Sequence, residues 1–193
     1  MLFRSAGVPV TGSTTPSLTL RLPTTDDEAA VWELNRSCST DTFDFLAGVG
    51  NLNADSTGYT AFLDSVRNQH EGTDLPEGWL PADFLVAEVI TADGGTTLIG
   101  RTSIRYGLNE YLLNYGGHIG YAVAPDHRRR GYATGILRQS LALLAERGID
   151  RALLVCNDDN AGSIGVIEAC GGVLEDRRTD PDGVLIRRYR ITL

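Results

Sequence analysis

Arg128-Arg129-Arg130-Gly131-Tyr132-Ala133 stands between two stretches of different periodicity. Upstream, His118-Ile119-Gly120-Tyr121-Ala122-Val123 alternates, is rich in β-formers and is stopped by Pro125, as a strand is. Downstream, Ala133, Leu137, Leu141 and Leu144 recur at helical spacing until Gly148 offers a C-terminal stop. Strand, glycine-containing basic turn, helix start: this order presents free backbone N–H groups to an anion. The first amides of a helix have no internal partners and sit at the positive end of its dipole. Phosphate is the usual guest at such a site. Other phosphate loops are excluded, because neither Gly-x-x-x-x-Gly-Lys-Ser/Thr nor Gly-x-Gly-x-x-Gly occurs and the chain contains no lysine.

Composition narrows the guest. The 193 residues fit one domain over 18–193 behind a flexible N-terminal tail, 1–17, rich in Ser, Thr, Gly and Pro. Net charge is −8 despite 17 arginines, so the broad basic surface of a nucleic-acid binder is missing. An acidic protein with one arginine cluster suits a single anionic ligand at one spot and an amine-bearing substrate elsewhere. Cys38, Cys156 and Cys170 show neither metal spacing nor a disulfide pattern; they read as reduced core thiols of a cytoplasmic protein, with no metal site. The tail lacks the apolar core of a signal peptide and no run approaches membrane-spanning length, so no membrane partner is expected.

Outward from the turn, the chain divides into short elements. Leu18 to Leu22 alternates like a strand, and Thr25-Asp26-Asp27-Glu28 reads as a capping box opening a helix through Ala29, Ala30, Val31 and Leu34. Phe43, Phe45 and Leu46 form an apolar patch in the polar segment 38–57, and a second helix is expected near Thr60 to His70. Phe84 to Ile90 and Thr97 to Ile104 flank the turn Asp93-Gly94-Gly95 as a hairpin. Residues 106–115 form an insertion with room for one helical turn. Ala152 to Cys156 is a short strand, and Asn160 caps a short helix carrying Ile164, Ile167 and Cys170. Val173 to Glu175 and Val184 to Ile191 close the chain as an antiparallel pair.

The form Arg-x-x-Gly-x-Ala, on Arg128, Gly131 and Ala133, resembles the acyl-CoA pyrophosphate loop of the GNAT N-acyltransferase superfamily. A second motif agrees with it: Asn157-Asp158-Asp159-Asn160-Ala161-Gly162-Ser163-Ile164 followed by Gly171-Gly172 resembles that family's strand-5 to helix-4 segment. The run most resembles a bacterial subgroup of predicted acetyltransferases, firmly over 83–191 and more thinly before. The resemblance implies an α/β fold with a mixed, mostly antiparallel sheet, a splayed parallel strand pair and helices on both faces. It also implies acetyl-CoA as acyl donor, lying between the splayed strands. Backbone groups of Ala122, Val123 and Ala124 would meet the pantetheine amides, one amide near Val123 also facing the thioester oxygen. The amides of Arg129, Arg130, Gly131, Tyr132, Ala133 and Thr134 would hold the pyrophosphate, and Asn157, Asn160 and Ser163 would line the pantetheine arm. Arginine side chains, Arg128 among them, form a second tier for the 3′-phosphate.

The implied reaction is direct attack of a primary amine on the thioester. An amine with pKa about 10.4 needs roughly 4–5 kcal/mol to lose its proton at pH 7. Base candidates are His118, Glu110 and Glu88; His118 is preferred, since it opens the cofactor strand and shares a face with Gly120 and Ala122. A structural histidine at a strand start is the competing reading. The family's thiolate-protonating Tyr, seven residues after Asn160, falls on Ile167. Ser163 is the alternative proton relay, and Cys170 reads as core. The loss is tolerable, because a thiol of pKa about 8.5 leaves unprotonated at pH 7 for only about 2 kcal/mol. The expected function is therefore N-acetyl transfer to a small-molecule or peptide amine. The alternative is a catalytically weak acyl-CoA sensor or structural module, and a nucleotide-binding use of the arginine loop is the remotest reading. Sheet pairing or strand exchange near the C-terminus is the route by which two copies would form a homodimer.

Overall fold

Leu18 and Leu20 alternate with Thr19 and Arg21 to form β1 (Leu18–Arg21), which pairs antiparallel with β2 (Ala82–Ile90). The computed structural model describes residues 17–39, 44–47, 49 and 52–193; Phe43 and nearly all of the N-terminal tail lie outside them. Between these strands come α1 (Glu28–Ser37) and α2 (Ser56–Glu71). A hairpin then joins β2 to β3 (Thr96–Arg105), and β4 (Ile119–Val123) pairs with β3, giving a first sheet ordered β1-β2-β3-β4. After α3 (Tyr132–Glu146), β5 (Arg151–Asn157), α4 (Ala161–Ala169), β6 (Val173–Thr179) and β7 (Leu185–Thr192) form a second sheet ordered β5-β7-β6. The order matches the expected one throughout, and the mixed α/β class with antiparallel sheets is the one the sequence implied.

Period-two alternation divides the first sheet between two cores. Phe84, Val86, Leu98, Ala122 and Ala124 face α1 and α2, where Val31, Phe62 and Val66 are buried. Leu85, Ala87, Ile99, Ile104, Ile119 and Val123 face the other way, toward α3 and its buried Ile136, Leu137 and Leu144. Each Val, Leu, Ile or Phe among them contributes about 1.5–3 kcal/mol by leaving water, and each alanine methyl about 0.8 kcal/mol. The 15 residues of α3 carry the chain back about 22 Å, so β4 and β5 start at the same end and run in the same direction.

The local expectations need adjusting at four places. The first capping box sits one residue early, with the Thr24 amide donating to Asp27 Oδ2 at 2.7 Å and a single 3-10 turn before α1. Asp27 is fixed there by Arg21, which also holds Glu88, each at 2.7 Å. α2 starts at Ser56 because the Asp55 carboxylate accepts the Gly58 amide. The insertion closes in a π-turn, Leu112–Gly116, rather than an α-helical one. β6 runs on to Thr179 because its arginines and acids ladder against β7: Asp176 meets Arg188 at 2.6 Å and Glu175 meets Arg190 at 3.0 Å.

Candidate active site

The two sheets meet at one joint. Gly117 has φ +71, and a Cβ there would lie 2.6 Å from the Leu153 carbonyl oxygen, so only glycine lets the chain pass this close. The next residue makes the connection: the His118 amide donates to Leu153 O at 2.8 Å, and the Leu153 amide donates back to His118 Nδ1 at 2.9 Å. Beyond this pair β4 and β5 belong to separate sheets.

Register shows what each strand turns toward the gap. Arg105 N–H donates to His118 O and Ala124 N–H donates to Ile99 O, so Gly120 and Ala122, with the His118 carbonyl and the Ala124 amide, turn their main-chain groups to β3. Tyr121 and Val123 therefore face the gap. On β5, Asp158 N–H donates to Leu185 O and Leu193 N–H to Asp150 O, which commits the even-numbered residues to β7. Val155 and Asn157 face the gap from that side. Of the expected contacts Ala122, Val123 and Ala124, Val123 alone has the right backbone orientation. Tyr121 is a gap residue that motif reading passes over; strand parity relative to Ala124 is the signal that finds it.

At the wide end lies the basic turn. Arg129 and Gly131 both hold left-handed backbone, φ +63 and +82, and Gly131 caps α3. Nothing lies within 4 Å of a Cβ built on Gly131, so glycine serves the backbone conformation there rather than crowding inside the protein. The first helical bond, Gly135 N–H to Gly131 O, leaves the amides of Tyr132, Ala133 and Thr134 without helical partners. Tyr132 offers only its amide, because its ring is buried in the core. All three arginines are exposed, and Arg128 also donates Nε to Val123 O at 2.8 Å, tying the turn to the end of β4.

Across the gap, Asn160 caps α4, its Oδ1 accepting the Ser163 amide at 2.9 Å. Ser163 is half-buried on the first turn of α4, and Asn157 closes β5 with its carbonyl accepting the Asn160 amide. Ile167 is 1% exposed and belongs to the core under β4 and β5.

The base candidates fall in three different environments. Burial lowers the His118 pKa, and in the neutral ring the lone pair sits on Nδ1, where it already accepts the Leu153 amide. This commits the imidazole to joining the sheets. Glu88 is engaged by Arg21, and Glu110 is exposed in the middle of the insertion. The opposite face of β4 carries a group absent from the sequence reading. Arg101, fully buried, donates to Asp44 O at 2.6 Å, Phe45 O at 2.8 Å and Gly120 O at 3.1 Å. Burial pushes its pKa down to about 9. A separate depression of about 320 Å³ along α2, lined by Asp64, Asn68 and Asp74, shares no residue with β4, β5, α3 or α4.

Among the described residues no cluster of His, Cys, Asp and Glu could hold a metal ion, and no helix is long and apolar enough to cross a membrane. Solved structures share the fold. The ribosomal-protein-S5-alanine acetyltransferase of Vibrio fischeri has a TM-score of 0.65 at 16% identity, over 91% of this chain and 92% of that one. The microcin C7 self-immunity acetyltransferase MccE, solved with acetyl-CoA and AMP, has a TM-score of 0.63 at 18% identity, over 96% and 100%. The ribosomal L7/L12 α-N-protein acetyltransferase RimL has a TM-score of 0.63 at 19% identity, over 94% and 92%. No curated protein matches the sequence. The profile of the acetyltransferase (GNAT) domain matches residues 17–173, and the chain belongs to that family.

Proposed function

We propose that this protein transfers an acetyl group from acetyl-CoA to a primary amine on a small molecule or peptide, by direct attack in a ternary complex. One observation carries the reading: a gap edged by main-chain groups of Tyr121, Val123, Val155 and Asn157 opens onto three unpartnered amides at the start of α3. That geometry fits a molecule with an extended diamide arm and a pyrophosphate at one end, since fixed N–H groups meet both without reorganisation. Tyr132, Ala133 and Thr134 would hold the phosphates, with Arg129 and Arg130 adding charge. Val123 and Tyr121 on one edge, and Val155 and Asn157 on the other, would hold the arm. When bound, acetyl-CoA supplies the activated acyl carbon.

The net charge of −8 favours cationic acceptors. RimL acts, by its name, on a ribosomal protein, and a protein N-terminus is accordingly among the acceptors to try first. With the His118 lone pair engaged, the acceptor amine gives its proton to water. A second reading, an acyl-CoA-binding module without turnover, is favoured by that engagement and by a buried Ile167 where a hydroxyl would be expected.

Acetyl-CoA and a panel of amines, followed by release of free thiol, separate the two. Turnover is expected with at least one cationic amine, its kcat/KM rising about tenfold per pH unit below the amine's own pKa. Tight CoA binding with no thiol release for any amine would establish the module. No CoA binding at all would remove both.

A further inference from the structure

Register sets a row of side chains across the joint. Arg105 lies directly opposite His118, continuing the Ile104–Ile119 pair, and Leu153 lies opposite Arg190. Ile104, Ile119, Leu154 and Ile191 go to the core shared with α3 and α4, so their neighbours Arg105, His118, Leu153 and Arg190 go to the other face. The arginines around this row are unevenly matched. Asp176 meets Arg178 and Arg188 at 2.6 Å, and Glu175 meets Arg188 at 3.2 Å and Arg190 at 3.0 Å. Arg105 meets no carboxylate among the described residues, and its bond from Nη1 to Gly117 O is 3.5 Å long. It is only half-buried, so its guanidinium keeps access to solvent while most of its charge-assisted bonds are unmade.

The same row closes the gap. An acyl-CoA arm from diphosphate to sulfur has about the length of four residues, and β4 rises about 3.3 Å per residue. Laid along β4 from its Val123 end, such an arm stops near Ile119, one step from His118. Behind it stand Ile119, Leu154 and Ile167, all buried, so an amine reaches the thioester from the face that carries Arg105 and His118.

We propose that Arg105 holds a carboxylate on the acceptor, so that the acceptor is an amine that carries its own carboxylate. The inference rests on the reading of the gap as an acyl-CoA site and names the class of acceptor for it. The planar guanidinium offers parallel N–H groups that match a carboxylate. One such cation balances one carboxylate but not a phosphate dianion, since the neighbouring arginines are already committed to Glu175 and Asp176. The two charges of the acceptor answer two fields. The overall charge of −8 draws its ammonium in, and Arg105 orients its carboxylate at the closed end of the gap. A polyamine lacks the second group and sets a further cation against Arg105.

The test reads binding and needs no turnover. In the probe, the CoA sulfur is joined through CH2–CO to the nitrogen of glycine, whose carboxylate stands where the acceptor's would; the glycinamide compound is its uncharged twin. A second pair ends in Gly–Asp-amide and Gly–Asn-amide, which moves the carboxylate to a following side chain. In calorimetric titrations at least one carboxylate compound should bind about tenfold tighter than its twin. The overall charge of −8 by itself predicts the opposite order, so the sign of the difference is decisive. A preference in the glycine pair identifies a free amino acid as acceptor, and one in the aspartate pair a peptide N-terminus followed by an acid. Arg105→Gln should abolish the preference while CoA and the uncharged twins stay within about threefold. Should that variant fail to fold, Arg105→Lys decides, because it keeps the charge and loses the fork: the preference should weaken, and an undiminished one overturns the proposal. Equal affinities within both pairs, or a preference that survives Arg105→Gln, would overturn it too. Failure of the unmodified protein to bind CoA would instead overturn the acyl-CoA reading itself.

Discussion

The two sides of β4 are built from different material. On the α3 and α4 side the gap and the helix start present main-chain N–H and C=O groups, fixed by strand register and one left-handed turn. On the α1 and α2 side, segment 44–47 is held by the guanidinium of Arg101 reaching three carbonyls. Arginines also fix the 112–116 turn: Arg178 bonds Asn114 at 2.6 Å and Arg188 bonds Leu113 O at 3.0 Å. A backbone-built surface recognises a constant chemical group and tolerates many side chains. One organised by side chains can be retuned by single substitutions. The contrast fits a shared acyl donor on one side and a chain-specific acceptor on the other.

The largest effect should come from the backbone side. Gly131→Val forces a β-branched residue into φ +82 and sends its side chain into the open space before α3. CoA affinity should fall by at least about a hundredfold, or about 3 kcal/mol, as read by calorimetric titration. Retained affinity would end the assignment of the turn to phosphate.

Arg101→Met should reveal the side-chain half. The Phe45 carbonyl loses its donor and the Asp44 and Gly120 carbonyls each lose one of theirs, and unfolding free energy should drop by about 3 kcal/mol in urea, with an unchanged m-value. CoA affinity of the folded variant should stay within about threefold. A collapse of CoA binding would mean that the two faces of β4 are not independent.

The smallest effect concerns the joint between the sheets. His118 has a lowered pKa when folded, so the unfolded chain binds its proton first as pH falls. Its contribution is therefore complete above the unfolded value of about 6.5 and declines as pH drops through 6.5 toward the folded value. His118→Gln should flatten that part of the stability–pH curve while leaving turnover at neutral pH within about threefold. A loss of turnover with an unchanged pH curve would restore His118 as a base.

The same division explains what the sequence discloses. The β4–turn–α3 unit and the Asn160 cap are legible because each is settled by neighbours within a few positions: a proline stop, a glycine at positive φ, an Asx side chain three residues from its amide. His118 could be placed on its strand but not given its role, because its partner, Leu153, is 35 positions away. Arg101 is harder still, with partners 56 and 57 positions upstream in a segment that carries no motif. Tyr121 had the right parity to be read, but the burial of its hydroxyl depends on packing from distant parts of the chain. Ile167 was located as the place of the missing tyrosine, and only packing reveals that it faces the core.

The gap between β4 and β5 is also a pair of unfinished sheet edges that face each other across one protein. Each sheet is complete without the other, and the His118–Leu153 joint adds only two hydrogen bonds between them. A ligand that fills the space satisfies both edges while costing neither sheet a bond. Ligand binding and completion of the fold are then one event. By mass action, occupancy at about a hundred times Kd contributes about 2.7 kcal/mol of resistance to unfolding. An acyl donor lying there, as proposed, would serve as one more strand for as long as it stayed.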